Sequence, residues 1–177
     1  MKPVIIAIVG ASGSGKTYLS KFLQNELNVY LIVSHTTRAM RKGEVEGVDH
    51  YYIENTHRFN REQMLSYTRF AGHEYFALEE QVPPQGFCAY VVDERGLKFL
   101  KEEKKHKFDI VSICVESDYE ILTGRGIAPE RIRRDEERES LPSGYYDHII
   151  RNNGSLEEFG NKIHETYKKI RRCQHQK

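Results

Sequence analysis

The chain has 177 residues, with 27 Lys and Arg against 26 Asp and Glu and a formal net charge of +1. This balance leaves no global field of the kind that marks a nucleic-acid or membrane-surface binder, and no apolar run approaches the ~20 residues of a transmembrane helix. The length suits a single domain, residues 1–177, with inserted lobes. Cys88, Cys114 and Cys173 are odd in number, widely spaced and without a CxxC pair, which points to a reducing, cytoplasmic setting rather than a disulfide framework or zinc site. The eight histidines lack HExxH spacing and are expected to be surface or packing residues.

Met1-Lys2-Pro3 runs straight into a continuous apolar stretch, residues 4–9, leaving no room for a signal or transit peptide and predicting a strand buried on both faces. Gly10-Ala11-Ser12-Gly13-Ser14-Gly15-Lys16-Thr17 follows, a GxxxxGK(S/T) phosphate-binding loop. Leu19, Phe22, Leu23 and Leu27 then recur at helical spacing. A strand, a glycine-rich turn and a helix N-terminus aim successive backbone N–H groups at one anion. Lys16 adds a cation for the β- and γ-phosphates, and the Thr17 hydroxyl is placed for Mg2+. The loop predicts nucleoside triphosphate binding.

Residues 29–33 read as a second strand, and residues 34–49 as a long polar loop, a length that is usually functional. Arg38 and Arg41, three apart in that loop, could clamp a second phosphate or simply be solvated. Residues 51–53, 67–70 and 74–76 are predicted as short strands of a small antiparallel lobe, two of them joined by Ala71-Gly72-His73, with a turn at residues 83–86. A strand at residues 87–92 ends in Asp93-Glu94, and a helix over 97–105 carries a charged face read as solvated. A strand at 108–115 precedes Ser117 and Glu120, which have capping-box spacing. Gly124-Arg125-Gly126 breaks the next helix, and the stretch 130–139 mixes Arg131, Arg133, Arg134 and Arg138 with acids, as a salt-bridged helix would. Residues 148–150 form the last predicted strand. Ser155 and Glu158 again have capping-box spacing, and Phe159, Ile163, Tyr167 and Ile170 line one face of a terminal helix.

Strand and helix alternate around an inserted β lobe. The expected fold is therefore α/β: a P-loop parallel sheet flanked by helices, with ligand at the strands' C-terminal ends. Residues 1–33 and 87–177 make the core, 34–86 the acceptor-binding lobe and 124–140 an Arg-rich lid with Gly124 and Gly126 as hinges. A phosphate loop, a second anion clamp and a closing lid are the parts of a kinase acting on a phosphorylated small molecule.

Residues 34–49, Ser34 through Arg38 and Arg41 to Asp49, closely resemble the nucleotide-binding signature of guanylate kinases. Phe70-Ala71-Gly72 with Tyr75, Asp93 with Gly96, Gly124-Arg125-Gly126, and Asp147 with Ile149 before Asn152-Asn153 are similar to further segments of that family. The resemblance implies transfer of the ATP γ-phosphoryl group to GMP or dGMP with Mg2+ at Thr17. It implies that Gly10 to Thr17 and Asn152 bind ATP, and that Lys16, Arg38 and Arg125 act in catalysis. It places Ser34 on the guanine, Arg38, Arg41 and Tyr75 on the acceptor phosphate, and Asp93 on the guanine amino group. The residues alone would equally make Asp93, at the end of an apolar strand, a Walker B acid near Mg2+.

Four positions depart from the pattern. His50 stands where a phosphate-binding Tyr is usual, with Tyr51 next to it. Ser66 replaces a Glu that accepts from the guanine ring N–H and amino group, Ala77 replaces a small hydroxyl residue, and Val91 replaces an Asp. A hydrogen bond to a charged acceptor is worth roughly 1.5–3 kcal/mol, so the loss of that Glu could remove ~10- to 100-fold of guanine preference. The resemblance thus implies a monophosphate kinase with GMP or dGMP as first acceptor and altered or relaxed base choice. Alternatives are a kinase for dTMP, dCMP or a phosphorylated sugar, or a non-catalytic phosphopeptide-binding module. The module reading is disfavoured because such modules have generally lost the phosphate loop.

Overall fold

The computed structural model describes residues 2–136 and 139–175. Arg138, grouped above with the lid arginines, lies outside the described residues.

Strand β1 (Val4–Gly10) is buried along its whole length. It sits at the centre of a parallel sheet, paired with β7 (Phe87–Val91) on one side and β8 (Asp109–Glu116) on the other. Edge strands β2 (Tyr30–Ile32) and β9 (His148–Arg151) complete the order β2-β7-β1-β8-β9. The period-2 alternation of a strand splits β1 between two cores. Ile6 and Ile8 pack with Leu19 and Leu23 of α1 (Lys16–Leu27) and with Phe159, Ile163, Tyr167 and Ile170 of α5 (Leu156–His175). Ile5, Ala7 and Val9 pack on the opposite face with Leu65, Tyr90, Leu97 and Leu100. Each fully buried aliphatic side chain contributes roughly 1.5–3 kcal/mol, so two-sided burial fixes β1 and with it the loop at its C-terminal end.

The second sheet has the order β4-β3-β6-β5. It comprises β3 (His35–Thr36), β4 (Tyr51–Tyr52), β5 (Met64–Phe70) and β6 (His73–Leu78). Two expectations are corrected here. The polar stretch 34–49 contains strand β3, and the lobe is not wholly antiparallel, because β3 and β4 run parallel. A parallel pair needs a crossover of about a dozen residues or more, which residues 37–50 supply. The β5–β6 hairpin turns at Ala71 and Gly72, both at positive φ (50° and 79°), the two-residue geometry that matches strand twist. A bulge lets Met64 and Ser66 oppose the consecutive residues Leu78 and Ala77, so Leu65 is the extra residue and drops into the core.

Three local readings also change. The helix expected over 97–105 begins earlier, as α2 (Glu94–Phe99), because the Asp93 carboxylate caps it by accepting from the Gly96 N–H at 2.8 Å; a π-helical turn, Leu100–Lys104, follows. Its charged face is not all solvated: Lys104 is buried and donates to Glu79 at 2.6 Å. Ser117 does not cap α3 (Tyr119–Gly124), whose N-cap is Asp118; its hydroxyl instead reaches the Asn152 carbonyl at 2.9 Å. The stretch after Gly126 forms α4 (Pro129–Glu136).

The second capping box does form. The Ser155 N–H donates to Glu158 at 3.0 Å, and the Glu158 N–H donates to the Ser155 hydroxyl at 3.2 Å. Ser155→Ala should therefore lower the unfolding free energy by about 1 kcal/mol. Phe159→Ala, one turn on and fully buried, should cost about 3–5 kcal/mol. Urea unfolding midpoints of the two variants check the order.

Candidate active site

The turn after β1 is held in shape from behind. Gly13 and Gly15 have φ of 77° and 115°; a Cβ on Gly13 would lie 2.4 Å from Ile127, and one on Gly15 would lie 2.5 Å from Asn152 Nδ2. Only glycine fits both the backbone and the space. Lys16 Nζ donates to the carbonyls of Gly10 (2.7 Å) and Ala11 (2.8 Å). Asn152 Nδ2 donates to the Ser14 carbonyl at 2.7 Å. Arg125 donates to the carbonyls of Gly13 (3.2 Å) and Asn152 (2.8 Å) and to the Ser117 hydroxyl (3.1 Å). Asn152 and Arg125, expected at ATP, are therefore engaged with the loop's own backbone, and neither lines the cleft described next. Thr17 follows Lys16 in the first turn of α1 and also lies outside the cleft lining.

At the C-terminal end of β1 and β7, between the two sheets, lies a cleft of about 310 Å³. Ser12 and Lys16 enter it from the phosphate loop. Ser34, Arg38, Arg41, His50 and Tyr75 enter from the small lobe, and Ser66 and Asp93 from β5 and the end of β7. The sequence-predicted donor and acceptor groups thus share one space. Tyr51 does not join them: its ring packs tilted against His35, with centroids 4.9 Å apart. Tyr51 opens β4 with its ring on the His35 side, while His50, just before the strand, lines the cleft. Ala77 is fully buried opposite Ser66 and lies outside the lining, whereas Val91 is within it.

Arg38 is buried (8 % exposed) and forms a two-pronged pair with Glu44, 2.9 Å at each prong. Glu44 also accepts from the Arg41 N–H at 2.7 Å and the Tyr52 hydroxyl at 2.8 Å. Burial alone would raise the Glu44 carboxyl, but these donors outweigh it and hold the pKa at about 2. Sequence reading passed over Glu44, although its spacing from Arg38 and Arg41 sits within the signature segment. His50 Nδ1 lies 2.8 Å from Ser34 Oγ. Burial, then the charge on Arg38, lower the His50 pKa, which keeps the imidazole neutral at neutral pH.

From α4, Arg131 and Arg134 line the cleft, and Asp135 accepts a hydrogen bond from the Ser12 N–H of the phosphate loop. The salt-bridged helix expected there is thus turned toward the site. Ser14 Oγ and Asn152 Oδ1 are buried without a hydrogen-bond partner among the described residues. Among the described residues no group of three or more His, Cys, Asp or Glu is placed to hold a metal, and no helix is long and apolar enough to cross a membrane.

Because the Glu44 pKa is held near 2 rather than at 4.5, its pairing stabilises the fold fully above pH 4.5 and is lost as pH falls toward 2. The melting temperatures of the wild type and Glu44→Gln should differ by a constant amount above pH 4.5 and converge between pH 4.5 and about 2. A thermal-unfolding series across that window checks the sign.

Comparison with known proteins agrees with this geometry. A family model described as guanylate kinase matches residues 1–171. A guanylate kinase of Fusobacterium nucleatum subsp. nucleatum is 27% identical over 169 residues, covering 84% of this chain and 88% of its own. One of Rickettsia felis is 29% identical over 181 residues, covering 93% and 92%. The crystal structure of guanylate kinase from Anaplasma phagocytophilum matches with a TM-score of 0.65 at 23% identity, over 96% of this chain and 87% of that one, and so shares the fold. With a phosphate loop, a paired-arginine lobe and a family model spanning nearly all of it, the chain belongs to the guanylate kinase family.

Proposed function

We propose that the protein is an ATP-dependent nucleoside monophosphate kinase that transfers the γ-phosphoryl group to GMP, dGMP or a related monophosphate. The observation that carries this reading is the shared cleft: Ser12 and Lys16 of the phosphate loop face Arg38, Arg41 and Tyr75 across one space. Phosphoryl transfer asks a protein chiefly for in-line positioning and for cations around the transferring group.

ATP would take the position aimed at by the loop N–H groups, and its phosphates would displace the Asp135 carboxylate from the Ser12 N–H. Lys16 Nζ would then trade the Gly10 and Ala11 carbonyls for phosphate oxygens, a stronger charge-assisted bond. The acceptor phosphate would be held by Arg41 and Tyr75, and by Arg38, whose fork Glu44 keeps oriented. Arg131 and Arg134 would supply the cations on the lid side. Arg125 contributes by bracing the loop on which the phosphates sit.

Thr17 offers a hard hydroxyl oxygen beside Lys16, and Mg2+ is bound in such sites mainly by phosphates and water. The residues present therefore fit Mg2+, which when bound neutralises charge on the β- and γ-phosphates. Asp93 caps α2 with one oxygen and lines the cleft beside Ser66 and Tyr90, which supports a base contact over a metal role. The free thiols Cys88, Cys114 and Cys173 suit a cytoplasmic setting.

Purified protein with ATP, Mg2+ and a panel of monophosphates should form ADP well above background. Lys16→Ala should lower kcat by about 100-fold or more, as loss of a transition-state cation does. Arg41→Ala should raise the acceptor KM by roughly 10- to 100-fold and leave the ATP KM unchanged, since it removes a charged hydrogen bond made to the acceptor alone. ATP turnover that is independent of any acceptor and unchanged in Arg41→Ala, yet abolished in Lys16→Ala, would instead describe a phosphate-loop hydrolase without acceptor chemistry.

A further inference from the structure

Ser117 lies between β8 and α3, outside the cleft lining, and its hydroxyl faces the back of the phosphate loop. Its backbone is held from both sides. The Asn152 N–H donates to the Glu116 carbonyl at 2.8 Å, and the Asp118 N–H donates to Asn153 Oδ1 at 3.0 Å. The direction of each bond at the hydroxyl follows from its partners. A guanidinium only donates, so Ser117 Oγ accepts from Arg125 at 3.1 Å. Carbonyls only accept, so the Ser117 hydrogen goes to the Asn152 oxygen at 2.9 Å or the Ser14 oxygen at 3.3 Å. One hydroxyl therefore joins the end of α3, the segment after β9 and the loop.

In a trans peptide the C=O and N–H of one unit point in opposite directions. The Ser14 carbonyl shares its unit with the Gly15 N–H. Asn152 Nδ2, at 2.7 Å, and Ser117 hold that carbonyl at the back, which turns the Gly15 N–H toward the anion side. Arg125 holds the neighbouring Gly13 carbonyl at 3.2 Å. Gly13 and Gly15 both have positive φ and no side chain to resist a peptide flip, so the anchors behind them decide the loop's shape. Arg125 itself is exposed, and pinning an exposed arginine costs rotamer freedom. Its other two acceptors are main-chain carbonyls, so Ser117 is the side chain that completes the set among the described residues.

We propose that Ser117 is a positioning residue of the triphosphate site: its hydroxyl locks Arg125 against the Gly13 and Asn152 carbonyls and so keeps the loop in its anion-binding shape. This rests on the kinase reading above and deepens its donor side. Ser117 touches no substrate; it acts through Arg125 and the loop's own peptide units.

Calorimetric titration of a non-hydrolysable ATP analogue with Mg2+ into the full chain tests this, with Ser117→Ala, Arg125→Ala and the double variant measured side by side. Ser117→Ala keeps the backbone bonds at Glu116 and Asp118, and it should weaken the analogue by about tenfold. Inorganic triphosphate with Mg2+ should lose the same factor, because the lock acts on the phosphate loop and not on a base. In the Arg125→Ala background the Ser117 substitution should cost less than about twofold, since the two side chains act as one unit. The acceptor KM of Ser117→Ala should stay within about twofold of the wild type. An unchanged analogue affinity in Ser117→Ala, losses that multiply in the double variant, or an acceptor KM that worsens in step with the analogue, as general loosening of the fold would give, would each overturn the proposal. Turnover decides the kinase reading separately: ADP formed from no acceptor would sink the kinase, while the cycle of titrations would still test the lock.

Discussion

A loop that turns its N–H groups toward an anion must turn its carbonyls away from it, and buried carbonyls need donors. That constraint organises the donor half of this protein. The carbonyls of Gly10 and Ala11 are met by Lys16, that of Gly13 by Arg125, and that of Ser14 by Asn152. The donors arrive from α1, from the end of α3 and from the segment after β9, so three separate parts of the chain converge beneath one turn. Two-sided burial of β1 sets where the turn begins, and the brace behind it sets which way the N–H groups face. The glycines follow from this, because Gly13 and Gly15 are pressed against Ile127 and Asn152 on the braced side.

A second pattern concerns anions supplied by the protein itself. Arg38 is buried and would be costly to leave unpaired, and Glu44 occupies both prongs of its fork. On the donor side, Asp135 sits on the Ser12 N–H. The two carboxylates have opposite consequences. Glu44 is fixed by Arg41 N–H and Tyr52 as well, so it holds the planar Arg38 fork in one orientation. Asp135 reaches the loop from α4, which also carries the cleft arginines Arg131 and Arg134, and so ties that helix to the phosphate loop.

Legibility in the sequence tracked how local the physics is. β1, the phosphate loop and α1 were readable because a continuous apolar run, a glycine spacing and a helical repeat are each short-range signals. The Ser155–Glu158 box was readable for the same reason, and its twin at Ser117–Glu120 was not, because Ser117 is drawn to the Asn152 carbonyl, 35 residues away. Arg125 was placed by motif at the transferring phosphoryl, yet its contacts reach back across 112 residues to Gly13. Lys104 looked solvated in a charged run, but Glu79, 25 residues distant, gives it a buried partner. Tyr51 and His50 could be told apart only by tertiary packing, which sets Tyr51 against His35 and His50 into the cleft. The parallel β3–β4 pair was hidden because two-residue strands carry no periodicity.

The two halves of the cleft are built from different materials. The phosphate half rests on main-chain geometry and on buried charge: changing a glycine there meets a hard contact, and removing Glu44 strands Arg38. The other half rests on side chains of β5, β6 and β7 whose backbone hydrogen bonds are made by the sheet whatever the side chain is. Ser66 faces Ala77 across the β5–β6 ladder, and both are small, so the ladder tolerates them without strain. Tyr90 is buried beside Ser66, and their hydroxyl oxygens lie 2.8 Å apart. Substitution at the floor therefore costs little in folding while it changes what the floor can bond. The loop and the Arg38–Glu44 pair are thus tied to the fold's own stability, and the side chains of the floor are tied to it less.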